Sequence, residues 1–296
     1  MKARIDEFLH FLTVEKGYSH HTIAAYQNDL AQLSDFLSNR ELTSWPDVDR
    51  NTIQQYILHL KERGYAASTV SRKVASTKSF FHFLVRDGFL SDDPTAAVDS
   101  PSADRHLPHP LSPDQVARLL AVPAQDESRK GLRDQALLEL MYATGMRASE
   151  IVNLSVDEVD LDEKTVRCMG KGKKERILPL YEGACKTLNT YLQKSRPELA
   201  RGHETEALFL NHRGQRLTRQ GLWLIVKECA ESANINREVT PHTLRHTFAT
   251  HLLDGGAGLR EVQQLLGHTN ISSTQIYTEV STRRKREAYD QAHPRA

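Results

Sequence analysis

The sequence predicts a mainly helical protein of two domains, with one small antiparallel sheet in the second. Three observations carry that prediction. The first hundred residues place their apolar side chains only at helical spacing. A proline-rich segment, 91–111, then interrupts the periodicity with four prolines. Near Val159 the period changes from helical to alternating, and further on it returns to helical. A length of 296 residues also suits two domains at about 150 residues each.

The N-terminal elements follow in order. Residues 2–16 align Ile5, Phe8, Leu9 and Leu12 on one face and stop at Gly17. Ser19 is a suitable N-cap for a second helix carrying Ile23, Tyr26, Leu30, Leu33 and Leu37. A third follows Asp49, with Ile53, Tyr56, Ile57 and Leu60 inward and a stop at Gly64. Ser68 is placed to cap a fourth, running through Val70, Val74, Phe80, Phe81 and Leu84 to a stop near Gly88. Four amphipathic helices on short connections predict a bundle. Hydroxyls and cations at the start of the fourth helix suit phosphate, which makes Ser68, Thr69, Arg72 and Lys73 candidate contacts. The alternative is a capped, solvated helix face.

In the second domain, Ser112-Pro113-Asp114-Gln115 reads as a capping box with proline at the first helical position. A helix from about Leu132 to Thr144 ends at Gly145, and Arg147 and Glu150 then share a face three residues apart. Glu150 either forms a structural pair with Arg147 or holds it rigid for a phosphate. Val159 and Leu161, Val166 and Cys168, then Ile177 and Leu178 predict two or three short antiparallel strands. Gly170-Lys171-Gly172-Lys173-Lys174-Glu175-Arg176 forms a tight basic turn between the last two. It lacks the G-x-x-x-x-G-K-[ST] pattern of a nucleotide-binding loop. Helices over Glu182–Ser195 and Thr218–Ala233 read as scaffold, with Arg213, Arg216 and Arg219 adding local positive charge.

The stretch from Val239 to Tyr277 is the densest in chemistry. Thr240 caps a helix, Pro241 opens it, and His242 falls in a first turn that favours an anion, with Arg245 one turn along. Gly255-Gly256 ends that helix, a further helix from about Leu259 to Leu266 stops at Gly267, and His268 follows. Ser272 and Gln275 suggest a capping box that puts Tyr277 in a short helix. Taken singly, these residues fit a core histidine, a paired arginine and a packed tyrosine. A metal site built on His242, His246 and His251 is disfavoured: no glutamate intervenes, and Arg245 would repel a cation. The remaining reading is a phosphoryl-transfer site in which these residues converge with Arg147 and Lys171.

Composition sets the outer limits. Hydrophobic residues make up 39% and charged residues 26%, as in soluble globular proteins, and the formal net charge of +1 requires any basic surface to be local. Cys168, Cys185 and Cys229 are widely spaced, which predicts reduced thiols rather than disulfides or a zinc site. No apolar run has the length of a membrane span, and the acidic, amphipathic start does not resemble a signal peptide, so a cytoplasmic setting is expected.

In combination, Thr144-Gly145-Met146-Arg147-x-x-Glu150, Gly170-Lys171-Gly172, His242-Thr243-Leu244-Arg245-His246, Leu266-Gly267-His268 and Tyr277 resemble the tyrosine recombinase (site-specific integrase) family. The short chain, without an added arm-binding domain, is most similar to its Xer chromosome-dimer-resolution type. The resemblance implies an N-terminal four-helix DNA-binding (SAM-like core-binding) domain over 1–97, a linker over 98–111, and a mostly helical catalytic domain with a small antiparallel β-sheet over 112–296. It implies that Arg147 and Arg245 clamp the scissile phosphate, Lys171 protonates the leaving 5′-oxygen, and His242 and His268 assist. Tyr277 would be the nucleophile, forming a 3′-phosphotyrosine, with Glu150 in support. Lys173, Lys174 and Arg219 join Ser68, Thr69, Arg72 and Lys73 as candidate DNA contacts.

The chemistry agrees with the residue types. Two arginines neutralise an anionic phosphodiester, and a phenol of reference pKa about 10 needs a proton acceptor or strong cations to react. The covalent intermediate conserves bond energy, so no cofactor, metal or ATP is expected. Expected partners are a double-stranded DNA recombination site, a tetramer formed with itself or a paralogous recombinase, and a DNA-translocase motor of the division machinery; no membrane is expected. The polar helix Thr282–Ala292 reads as a dock for a neighbouring subunit or a frayed tail. Alternatives to dimer resolution are a mobile-element integrase, a type IB topoisomerase-like relaxing enzyme, and a DNA-binding regulator with a relic site.

Overall fold

A computed structural model describes residues 1–99, 110–169, 175–267 and 280–296. The chain divides into two compact units, Met1–Leu107 and Pro108–Ala296.

The first unit is helical throughout its described residues: α1 (Lys2–Val14), α2 (His20–Ser38), α3 (Arg50–Glu62) and α4 (Ala67–Arg86), with a short 3-10 turn at Trp45–Asp47. Ser19 caps α2 by accepting from the Thr22 amide at 3.2 Å, and Asp49 caps α3 through Thr52 at 2.8 Å. The core is aromatic: Phe8 meets Phe80 edge-on at 5.4 Å and Trp45 meets Phe80 at 4.7 Å. Ser68 is not the cap expected of it. α4 starts at Ala67 after Ala66, whose side chain has no acceptor, so Ser68 sits inside the first turn.

The second unit is built around α6 (Arg129–Thr144), which Ser128 caps through the Gly131 amide at 3.2 Å. From Ala136 to Thr144 every side chain of α6 is buried, a helix enclosed on all sides rather than on one face. α5 (Pro113–Ala124), α8 (Glu182–Thr190) and α11 (Pro241–Asp254) pack around it. The expected capping box at Ser112 and Gln115 is present, with bonds of 3.0 and 3.2 Å. After α7 (Ala148–Asn153) come β1 (Val159–Asp160), β2 (Thr165–Met169) and β3 (Glu175–Pro179), antiparallel in the order β1-β2-β3. Val166 faces Leu178 and Cys168 faces Arg176 across the ladder. Leu161, expected in the first strand, lies in the turn after it.

α8 passes through a π-helical turn at Tyr191–Ser195 into α9 (Arg196–Ala200). The remaining helices are α10 (Arg219–Ser232), α12 (Leu259–Leu266) and α13 (Val280–Ala292). The far end of α13 is no frayed tail. Tyr289, Ala292 and His293 are buried in their own domain. The His293 ring lies 4.7 Å from that of Tyr289 and 5.1 Å from that of Tyr181, and Arg295 pairs with buried Glu139 at 3.0 Å. Among the described residues no helix is long and apolar enough to cross a membrane.

Candidate active site

α11 supplies the first component. Thr240 caps it by accepting from the Thr243 amide at 3.2 Å, and Pro241 is its first residue, whose missing N–H costs nothing there. His242 is exposed in the first turn, and Arg245 lies one turn inward with 8% of its surface accessible. The Arg245 guanidinium donates from Nη1 to the Gly145 carbonyl at 2.7 Å and from Nη2 to the Leu266 carbonyl at 2.7 Å. Those carbonyls belong to the C-terminal ends of α6 and α12, where the helix dipole favours a cation. Burial first, then the nearby Arg147 charge, lowers the Arg245 pKa to about 10, so the group stays charged at neutral pH.

Arg147 comes from the turn between α6 and α7. Glu150, 8% exposed at its side chain, accepts from the Arg147 amide at 2.7 Å and from Arg147 Nη1 at 2.9 Å. The Arg147 side chain is 43% exposed and reaches solvent beyond that pair. Burial raises the Glu150 pKa, but hydrogen bonds and charge from Arg176 and Arg147 outweigh it and leave the carboxyl below its usual range. Two guanidinium groups, those of Arg147 and Arg176, therefore hold this carboxylate, with Arg245 within electrostatic range of it.

A cleft of about 540 Å³ opens beside Arg147 and Glu150, bounded also by Asn153, Glu158, Cys168, Met169 and Gly267. Met169 and Gly267, the last described residues before 170–174 and 268–279, both lie on its wall. Lys171, Lys173, Lys174, His268 and Tyr277 lie outside the described residues. Cys168 is the thiol on the cleft, and burial pushes its pKa up to about 12, which removes it as a nucleophile at neutral pH.

The structure thus brings Arg147, Glu150 and Arg245 together, with His242 on the same helix as Arg245. Arg176 went unrecognised as a site residue in the sequence, although alternation along β3 puts it on the inward face with Leu178. A cation on a core-facing strand position needs a carboxylate, and the structure supplies Glu150.

The candidate contacts of the first unit divide. Ser68 and Arg72 are exposed and Thr69 is half-buried. Lys73 is corrected: it is 3% exposed, with Nζ on Asp29 at 2.9 Å and Gln32 at 2.8 Å, so it serves an internal pair and not a surface phosphate. Asp29 also pairs with Arg72. In the second unit Arg219 is exposed at the start of α10.

Of the histidines weighed as metal ligands, His251 is committed elsewhere, to the Tyr142 hydroxyl at 2.8 Å and the Leu111 carbonyl at 2.8 Å. Among the described residues no cluster of three or more His, Cys, Asp or Glu is placed to hold a metal.

Comparison with known proteins adds relatives to this geometry. Residues 110–284 match the phage integrase family and residues 5–88 match its N-terminal SAM-like domain. The chain is 50% identical over 283 residues to a protein named tyrosine recombinase XerC from Roseiflexus sp. (strain RS-1), covering 95% of this chain and 90% of that one. It is 44% identical over 296 residues to tyrosine recombinase XerD from Staphylococcus epidermidis (strain ATCC 35984), covering both completely. Among solved structures, XerH site-specific recombinase bound to a palindromic difH substrate shares the fold at a TM-score of 0.70 and 23% identity, covering 90% of this chain and 78% of that one. XerA recombinase aligns at a TM-score of 0.51 and 28% identity over 100% of this chain and 99% of that one.

Proposed function

The chain belongs to the phage integrase family of tyrosine recombinases, and from that premise we propose that it cleaves and rejoins duplex DNA at a specific site through Tyr277. The observation that carries the reading is the grouping of three guanidinium side chains behind and beside the cleft. Arg147 and Arg176 pair with Glu150, Arg245 lies within electrostatic range of all three, and Arg147 keeps donors facing solvent. A fixed cationic site suits a phosphodiester, which gains further negative charge as it passes through a pentacoordinate state.

In this mechanism Arg147 and Arg245 bind the non-bridging oxygens of the scissile phosphate. The Tyr277 oxygen attacks phosphorus and its proton passes to a histidine, His242 or His268. The bond from phosphorus to the 5′-oxygen breaks, and Lys171 protonates that oxygen. The product is a 3′-phosphotyrosine, and attack by a second 5′-hydroxyl reverses the step on the new partner strand. Contacts from Ser68, Thr69, Arg72, Arg219, Lys173 and Lys174 to the sugar-phosphate backbone would set register without reading sequence.

The Xer names of the relatives support resolution of chromosome or plasmid dimers as the task. The proposed assembly is a tetramer on two sites, formed with itself or a paralogue and activated by a DNA-translocating motor. Light scattering of the DNA complex reads the subunit count.

The deciding experiment uses a duplex nicked near the cleavage point, which traps the covalent adduct. Wild type is expected to accumulate a protein–DNA adduct and Tyr277→Phe to form none. An adduct with Tyr277→Phe would overturn the assignment. Relaxation of a plasmid without recombination would move the protein to a topoisomerase-like role.

A further inference from the structure

We infer that Arg176 is a positioning residue of the recombination site, whose guanidinium sets both clamp arginines at once: Arg147 through Glu150, and Arg245 through the carbonyl end of α12. The inference rests on the reading of Arg147 and Arg245 as phosphate ligands.

All three guanidinium nitrogens of Arg176 are engaged. Nη1 and Nη2 donate to the two Glu150 carboxylate oxygens at 3.1 and 2.7 Å, and Nε donates to the Leu265 carbonyl at 3.1 Å. The side chain is 9% exposed, and each of its three nitrogens already holds an acceptor within the protein. Its place is reserved by Gly267, where an added Cβ would come within 3.0 Å of Arg176 Nη1.

Two consequences follow from this geometry. Because Arg176 occupies both oxygens of Glu150, Arg147 reaches that carboxylate with Nη1 at 2.9 Å and presents the rest of its fork to the cleft. Without Arg176, the carboxylate would draw the whole Arg147 fork onto itself in a bidentate pair, and the donors meant for phosphate would be spent. In addition, the adjacent carbonyls Leu265 and Leu266 at the end of α12 are held by Arg176 and Arg245 respectively. Release of the first lets the helix end shift, and Arg245 is fixed to that end. A lysine cannot span these acceptors, because its donors radiate from one nitrogen.

The test compares Arg176→Gln and Arg176→Lys with wild type and Arg147→Ala, on the nicked duplex. Three quantities are read: melting temperature, affinity for the duplex, and single-turnover cleavage rate at saturating protein. Arg176→Gln is expected to bind DNA as wild type does but to cleave about 10- to 100-fold more slowly, the scale on which loss of an orienting partner acts. Arg176→Lys is expected to recover only part of that rate. Wild-type cleavage by Arg176→Gln overturns the inference, and so does a rate loss matched by an equal loss of affinity, which marks a merely structural role. Should Arg176→Gln fail to fold, Arg176→Lys decides, and a wild-type rate in it is equally fatal. Undiminished cleavage by Arg147→Ala sinks instead the clamp reading beneath the inference.

Discussion

Arg245 shows how one buried cation is made useful. Its guanidinium ties two helix ends together, and the two carbonyls stabilise it without neutralising it. Arg245→Lys is therefore expected to lower the cleavage rate about 100- to 1000-fold, as when a transition-state donor is removed. An ammonium cannot reach both carbonyls, and the burial that takes the arginine to about 10 acts on a lysine from a lower reference value. The rate of Arg245→Lys relative to wild type should thus rise as pH falls and the lysine is charged. Single-turnover rates between pH 6 and pH 9 read the difference.

His293 carries a second prediction at this scale. Burial lowers its pKa from 6.5 to about 4. Between those values the unfolded chain binds more protons, so this residue's contribution is complete above pH 6.5 and is lost as pH falls toward 4. The part lost between pH 7 and pH 5 is about 2 kcal/mol. Glu139, raised by burial, acts in the opposite sense. The quantity to measure is therefore the difference between wild type and His293→Phe in urea unfolding at the two pH values. A pH-independent difference would refute the assignment.

At the scale of elements, the site depends on where helices stop. Gly145 ends α6 at φ +57°, and a Cβ added there would meet the Phe248 ring at 2.3 Å. Its carbonyl is also one of the two that hold Arg245. Gly145→Ala is expected to cost about 1–2 kcal/mol from the left-handed backbone alone, with the overlap added. Its effect on cleavage should persist well below the melting temperature, because the carbonyl moves with the turn. Calorimetry together with cleavage assays in the cold separates the two effects. Elements were the most legible part of the sequence. The caps at Ser19, Asp49, Ser112 and Thr240 stand where the local pattern puts them, because a cap is made by residues three apart. Ser68 departed from its expected role because α4 begins one residue before it, at Ala67.

Over the whole molecule, charge is nearly balanced at +1, so DNA affinity must come from local clusters. Log affinity should fall linearly with log salt, with a slope set by the number of phosphates neutralised. Arg147→Ala should reduce that slope by about one phosphate contact. Titration at several salt concentrations checks this, and an unchanged slope would remove Arg147 from the phosphate surface.

The sequence by itself determined the helical class, the strand hairpin and a motif set specific enough to name a family, because each is written in residues a few positions apart. Tertiary structure decided what those residues do to one another. Arg176 meets Glu150 across 26 positions, and Arg245 meets the Gly145 carbonyl across 100. Periodicity tells which face of an element turns inward, but not which other face it meets. A long cationic side chain adds a further ambiguity, since its stem is content in the core and its head in water. Only the presence of Asp29 opposite Lys73 and of Glu150 opposite Arg176 settles that both heads point inward.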